Sequence, residues 1–477
     1  MPLILPGNVA SALGGAFEVA NSCRFNDDDS PSLYHDGSSS TAVQKATISF
    51  WVKRCKLGAS QYPFYCGDTS AYGDRNFYIK FHSDDRMYVR NENSATVLDF
   101  ITTRKFRDVG AWMNVVVKLD LTESGTDRCK LYINGTEETA FDTQTSGTIP
   151  EWWTGKTGYR QWIAYSPGED CYGDFYLAEC VLIDGLALAP TSFGEFDEDS
   201  PTIWKPKDVS GLTFGTNGFY LDYEDSGDLG DDESGNTNDF TEGNLAATDQ
   251  CTDSPTNNFC TMNPLDNYHQ VATFSEGNCK VVTHADKESF LTGTMGVSSG
   301  KWYYEVKCVT ASTQDQIGFT DTPSNAYNDV MQNTTNGRKG FVYRDHSNVG
   351  AFRVDGGTQI TTNYDDWTDG DVLGVYIDLD NLEAYVSKNG TLQNSGTGQT
   401  ITAASSTKGF YIPGIGDEAA DSFTAEVNFG NPVSALSSAV ADANGYGQFE
   451  YSPSGTFDGA SKDFLAICTK NLGSDGG

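Results

Sequence analysis

The sequence predicts an all-β protein built of two antiparallel β-sandwich, jelly-roll-like domains, and three observations predict it. The 477 residues are rich in aromatic (12%) and turn-forming residues, including 50 glycines, the mixture expected of many short strands joined by tight turns. Apolar and polar residues alternate in segment after segment, the period of a half-buried strand. One phrase also occurs twice: VVVKLDLTESGTDRCKLYINGT (115–136) and LGVYIDLDNLEAYVSKNGT (373–391) each read strand, polar hairpin, strand, Asn-Gly turn. Two copies of one hairpin grammar in a chain this long imply two sandwiches.

In chain order, ATISFWVKR (46–54) and AWMNVVVKLD (111–120) are strands, the second denser in β-branched residues. CKLYINGTEETAF follows, with Asn134-Gly135 as a two-residue hairpin turn because both positions take positive φ. YGDFYLAECVLIDGLAL (172–188) alternates again and closes at Pro190, and TSFGEF reads as one helical turn. From about 197 to 265 charge, Asn, Thr and Pro rise, while Trp204, Phe214, Phe219, Tyr220, Tyr223 and Phe240 supply anchors that want burial. This region reads as an ordered acidic connector. Strands resume at 300–309, 314–321, 339–345, 350–357 and 369–391, with turns at Asp380-Asn381 and Asn389-Gly390. The expected division is an arm at 1–18, a sandwich at 19–196, the connector at 197–265, a second sandwich at 266–472 and a tail at 473–477.

Composition removes several functions. A formal net charge of −35 without basic clusters argues against a nucleic-acid partner. Eleven cysteines without CxxC spacing argue against a zinc ribbon or a disulfide framework, and fit folding in a reducing compartment. No run approaches the ~20 apolar residues that span a bilayer, and the start lacks the features of a signal peptide.

Residues 270–472 resemble a SPRY domain through GKWYYEV (300–306), IGFT (317–320), GDVLGVYIDLDN (370–381), VSKNGT (386–391), FYIPGIG (410–416) and VNFG (427–430). That resemblance implies a β-sandwich that binds peptides or proteins through loops at one end, with no catalytic residues. The N-terminal half is similar to a laminin-G or concanavalin A-like jelly roll through ISFWVKR (48–54), GAWMNVVVKLD (110–120), KLYINGT (130–136) and FYLAECVLIDGLALAP (175–190). Such domains commonly bind carbohydrate, often with calcium at a sheet rim. The whole layout resembles virion proteins of tailed phages, particularly marine ones. It implies a virion surface protein made in the host bacterial cytoplasm: a tail fibre or head decoration, without catalysis, that adheres to a host glycan or protein and contacts other virion proteins. The phage analogy also implies a homo-oligomer. A purely structural virion component and a polysaccharide depolymerase are the alternatives.

Candidate site residues follow from side-chain chemistry. Trp152, Trp153, Tyr159 and Trp162, in EWWTGKTGYRQW, are flat rings able to stack on a pyranose, with Tyr72 as a lesser candidate; burial against a neighbour is the competing role. In the second sandwich the polar loops Asn325–Arg338, Arg344–His346, Asp365–Trp367 and Asp417–Asp421 form the candidate surface, with Arg344 and Trp367 as ligand contacts. The stretch DYEDSGDLGDDESGNTND (222–239) packs eight carboxylates and three glycines. Asp231, Asp232, Asn236, Asn238 and Asp239 around Gly235 could cage calcium, although EF-hand spacing is absent; the first reading is a structured turn around Ser234-Gly235-Asn236. Asn26–Asp29 is a second acidic cluster. No cofactor other than this calcium is implied. The five histidines are scattered, and Glu195-Phe196-Asp197-Glu198-Asp199-Ser200 lacks the last Glu of the E-x-D-x-x-E glycosidase pattern.

Overall fold

The structure is a computed structural model that describes residues 17–39, 43–267, 272–324, 331, 337–345, 349–405, 409–418 and 422–475. Most of the expected arm (1–16), most of the Asn325–Arg338 loop, His346 and residues 419–421 therefore lie outside the described residues. The chain is all-β, and it divides into two compact units, the first ending at Thr256 and the second starting at Asn257.

Two eight-stranded sheets form the first unit. Lys45–Arg54 is central to one, paired antiparallel with Met113–Asp120 and with Phe175–Asp184. Cys129–Ile133 and Thr136–Glu137 extend it through the Asn134-Gly135 turn, where φ is 48° and 72° as the sequence requires. Ser22–Phe25 and Phe219–Leu221 share the other edge of Phe175–Asp184, pairing with different parts of it. The second sheet runs Phe141–Ser146, Thr96–Lys105, Arg86–Asn93, Arg75–Phe81, Gln61–Asp68, Tyr159–Ile163, Ser32–Asp36, Thr241–Gly243. Alternation sends Ile48, Phe50, Val115, Val117, Phe77, Ile79, Val89 and Phe100 into the core between the sheets.

The stretch read as a connector supplies strands to this unit. Phe219–Leu221, Thr241–Gly243 and Gln250–Cys251 all pair into its two sheets. Asp253 receives the Lys53 ammonium (2.6 Å) and the Trp112 indole N–H (2.8 Å), and Lys53 and Asp253 are fully buried. A charge held this deep needs its partner, so the segment is part of the fold.

In the second unit a six-stranded sheet runs Met262–Asn267, Ser289–Gly293, Ile412–Asp417, Asp315–Thr320, Gly340–Asp345, Gly350–Val354. A nine-stranded sheet centres on Lys301–Thr310, flanked by Thr424–Asn428 and Val372–Asp378. Tyr304 crosses the core: its hydroxyl donates to the Gly318 carbonyl (2.7 Å), lies 3.1 Å from the Gly414 carbonyl and accepts from Gly318 N–H (3.0 Å) on the facing sheet. A Cβ at Gly318 would stand 2.0 Å from the Phe341 carbonyl oxygen, so IGFT needs its glycine. Glu305, on the other face of its strand, accepts from Tyr303 Oη, Asn428 Nδ2 and the backbone N–H of Glu450 and Tyr451, and so clips the returning chain onto the sheet. The Asn389-Gly390 turn has the expected positive φ; in the Asp380-Asn381 hairpin the positive φ falls on Leu382 instead.

Candidate functional site

The described residue most suggestive of ligand contact is Trp162, and strand alternation explains why. Tyr159–Ile163 is a strand, not the loop expected for EWWTGKTGYRQW, so Tyr159, Gln161 and Ile163 face the core while Arg160 and Trp162 face out. In register, Trp162 lies opposite Tyr34 on one neighbouring strand and Tyr65 on the other. Tyr65 lies opposite Tyr78, Tyr78 opposite Arg90, and Arg90 opposite Asp99. Directly opposed residues share a face, so one row of rings and charges runs across six strands of the second sheet.

Tyr34 and Trp162 of that row are partly exposed, as are Tyr165 and Tyr172 on a separate two-stranded hairpin, and the four rings touch in sequence: Tyr34–Trp162 at 4.9 Å, Trp162–Tyr165 edge-on at 4.9 Å, Tyr165–Tyr172 stacked at 4.5 Å. The Arg160 guanidinium lies 4.2 Å from the Tyr34 ring centre and grips Asp36 through two bonds (2.6 and 2.8 Å). That grip holds the Asp36 carboxyl below the usual range. Tyr72 is also partly exposed, and its carbonyl accepts the Tyr65 hydroxyl. The covered part of the face is built around Lys80, whose ammonium donates to Tyr62 Oη (3.0 Å) and Glu169 Oε1 (2.7 Å) and lies over the rings of Tyr62, Tyr78 and Tyr88. Burial works against the Glu169 charge, but Lys80 and Tyr62 outweigh it and keep the carboxyl below its ordinary value. Arg90, Arg160 and Lys80 thus each have a carboxylate partner, in Asp99, Asp36 and Glu169. The face offers apolar ring surface edged with fixed hydrogen-bonding groups, the chemistry that takes a neutral polyhydroxylated ligand.

The other sequence candidates lie elsewhere. Trp152 is fully buried, packing edge-on to Phe77 and donating to the Gln44 carbonyl. Trp153 and Tyr159 stack on each other at 5.1 Å inside the same core. These three rings are corrected from ligand platform to core: a ring without exposed area cannot stack on a sugar. Trp367 is likewise corrected, being 2% exposed and packed edge-on to Tyr343 at 4.7 Å. Arg344 is buried, holding Glu418 (3.1 Å) and the Gln314 side-chain oxygen (3.0 Å), which makes it a support rather than an open contact.

The acidic stretch folds as a turn. Asp232 Oδ1 accepts from the N–H of Tyr220 and Ser234, and Oδ2 from the N–H of Asn238 and the Ser234 hydroxyl. Asn236 and Asn238 donate their amides to the carbonyls of Gly215, Thr216 and Gly218. Positive φ falls at Gly235 (81°) and Thr237 (57°). Asp232 is thus saturated by N–H and O–H donors, and the amide nitrogens of Asn236 and Asn238 are spent on backbone carbonyls. Asp231 and Glu233 are held above ordinary carboxyl values, Asp231 by burial and then Asp239, Glu233 first by the Asp222 charge. Among the described residues no three His, Cys, Asp or Glu side chains gather in a group that could hold a metal. At Asn26–Asp29, Asn26 Nδ2 binds Asp29 (2.7 Å) and Asp27 pairs with Lys56 (2.5 Å).

The glycosidase-like segment is a hairpin edge and a turn: Gly194–Phe196 pairs with Trp204–Pro206, and Asp197 Oδ1 caps the N–H of Asp199 and Ser200. Among the described residues no helix is long and apolar enough to cross a membrane.

Tyr34, Tyr165, Tyr172 and Arg160 were not singled out in the sequence. The available signal was the alternation of YHD and YRQW, which leaves the aromatic or charged member of each strand on the outer face.

Comparison with known proteins places the first unit. No curated protein matches the chain. Among solved structures, the SPRY domain of human HERC1 aligns at 15% identity over 35% of this chain and 96% of its own, with a TM-score of 0.28. A heptameric SAP-like pentraxin from Limulus polyphemus aligns at 14% over 36% and 80%, TM-score 0.28, and mouse laminin α1 domains LG4-5 at 8% over 90% and 93%, TM-score 0.28. Residues 27–189 match the laminin-G family model described as the concanavalin A-like lectin/glucanases superfamily, so this part of the chain is similar to that superfamily and carries its sandwich fold.

Proposed function

We propose that the chain is a non-catalytic binding protein whose first unit holds glycan on the outer face of its second sheet. The observation that carries this reading is the linked, partly exposed set Tyr34–Trp162–Tyr165–Tyr172, which starts on that face and continues onto the adjoining hairpin. A lectin-type superfamily match over the same unit supports it. On the resemblance of the layout to tailed-phage virion proteins, we place the protein on a virion surface, where many copies turn weak single-site binding into firm attachment to the host. Contacts with neighbouring virion proteins and homo-oligomerisation belong to the same proposal.

The test is a glycan array with the full chain, followed by titration calorimetry on the best ligand. Trp162→Ala is expected to weaken binding tenfold or more when measured well below its melting temperature, which should fall somewhat because the ring also packs against Tyr34 and Tyr165. Full retention of binding by that variant removes this face as the site. Release of reducing sugar from the bound polysaccharide would make the protein a depolymerase instead, and absence of binding on the array would favour a purely structural role.

A further inference from the structure

The second unit contains a pair of buried carboxyl groups, one of them Asp417 of the candidate loop Asp417–Asp421, whose burial withdraws it from an open ligand surface. Asp315 opens the strand Asp315–Thr320, Asp417 ends the strand Ile412–Asp417, and the two are direct cross-strand partners with fully buried side chains. Like charges facing each other across a ladder repel, and burial raises the cost. The groups that act on Asp315 are Ser312, Asp417 and Trp367, none of them a cation.

Ser312 sits between the two acids. Its backbone N–H donates to Asp315 Oδ2 (2.9 Å), and its hydroxyl lies 2.6 Å from Asp315 Oδ1 and 3.4 Å from Asp417 Oδ1. On its other oxygen Asp417 accepts from the Thr283 hydroxyl (3.0 Å), and Phe423 N–H donates to that hydroxyl (2.8 Å). Four pieces of chain therefore meet at the pair: the turn at 312–315, the end of the strand at Asp417, Thr283, and Phe423 just before the strand Thr424–Asn428.

A hydroxyl carries one proton and cannot donate to both carboxylates. With Asp315 protonated, its O–H donates to Ser312 Oγ, and the Ser312 hydroxyl is free to donate to Asp417. With Asp315 ionised, only one of the two carboxylates keeps the Ser312 hydroxyl, and the two charges face each other. We propose that Asp315, Ser312 and Asp417 form a proton-held clasp that closes this end of the second unit in acid and relaxes as the medium becomes neutral. The proton released on ionisation passes to solvent.

Burial, with Asp417 adding to it, pushes the Asp315 carboxyl from 3.8 to about 7, against the Ser312 donors. Charged groups among the described residues nearby have partners of their own. Arg344 on the neighbouring strand is engaged with Glu418, and Lys388 pairs with Asp371. Asp369 Oδ1 accepts from Ala311 N–H, and His284 Nδ1 accepts from Asp286 N–H. Asp345 and the Cys308 thiol complete the buried set.

Hydrogen exchange on the full chain, corrected for the intrinsic pH effect, tests the clasp through peptides covering 312–320 and 412–428. Opening releases one proton between the two pKa values, so the opening constant should rise about tenfold per pH unit from about 4 to about 7 and then level off. Asp315→Asn, whose amide can donate to Ser312 as the acid does, should be flat and protected across the range. Asp417→Asn should shift the rise to lower pH by about one unit or more, since the repelling charge is gone. A flat wild-type profile overturns the proposal, and so does an unchanged slope in Asp315→Asn. Should that variant fail to fold, an unshifted profile in Asp417→Asn overturns it as well.

Discussion

Trp152 and Trp162 stand ten positions apart in one aromatic segment and have opposite fates. Trp162 is on the outward phase of a strand; Trp152 bridges to Val43 and is sealed beneath the sheet. Ring chemistry was legible in the sequence, but the phase was not, because EWWTGKTGYRQW gives no alternation until Tyr159. Glu179 is a second residue whose role only burial reveals. It sits at positive φ (51°) in the bulge of Phe175–Asp184, with both carboxyl oxygens on Tyr220 Oη (3.1 and 2.9 Å). Burial pushes its carboxyl from 4.5 to about 8, with Asp222 and Glu224 adding repulsion. The folded state thus favours the protonated acid. Its contribution is complete below about pH 4.5 and is lost as pH rises through about 8. Denaturant melts should show the first unit losing stability across that window, and Glu179→Gln should flatten the loss. A wild-type slope in that variant would mean that other groups set the profile.

At the scale of elements, the acidic stretch shows how a turn can look like a metal loop. Carboxylates and amides around a glycine are what calcium requires, and also what a tight turn requires to satisfy its own N–H groups. The partners of Asp232 decide between them, since each of its oxygens already receives two donors. Asp232→Ala should cost about 2–3 kcal/mol, the scale of lost bonds to a buried charged acceptor, read as a lower urea midpoint with and without calcium. The wild-type melting temperature should be the same in calcium and in chelator; a fall with chelator would restore the metal reading. Hairpins were the most legible elements. The Asn134-Gly135 and Asn389-Gly390 turns were fixed by local φ requirements and are met.

Across the whole molecule, the segment from 197 to 256 is the instructive one. Its low apolar content and many turn residues read as a connector, yet its short strands complete both sheets of the first unit, and Asp253 neutralises buried Lys53. A fragment ending at Phe196 would leave Lys53 without that carboxylate, a loss on the order of 3–5 kcal/mol, and would strip two sheet edges. It should fail to melt cooperatively by circular dichroism, whereas a fragment ending at Thr256 should melt as one transition. Equal melts for the two would show that the segment is dispensable.

The sequence by itself determined the all-β class, the strands with strong alternation and the tight turns, because these depend on period-two burial and on φ preferences a few residues long. Tertiary structure alone decided which aromatic rings face solvent, which buried acids face each other and which polar stretch belongs to a sheet. Those outcomes depend on register between strands far apart in the chain: Trp162 meets Tyr34 across 128 positions, a number that follows from their places in the sequence, and Asp315 meets Asp417 across a pairing no local pattern announces.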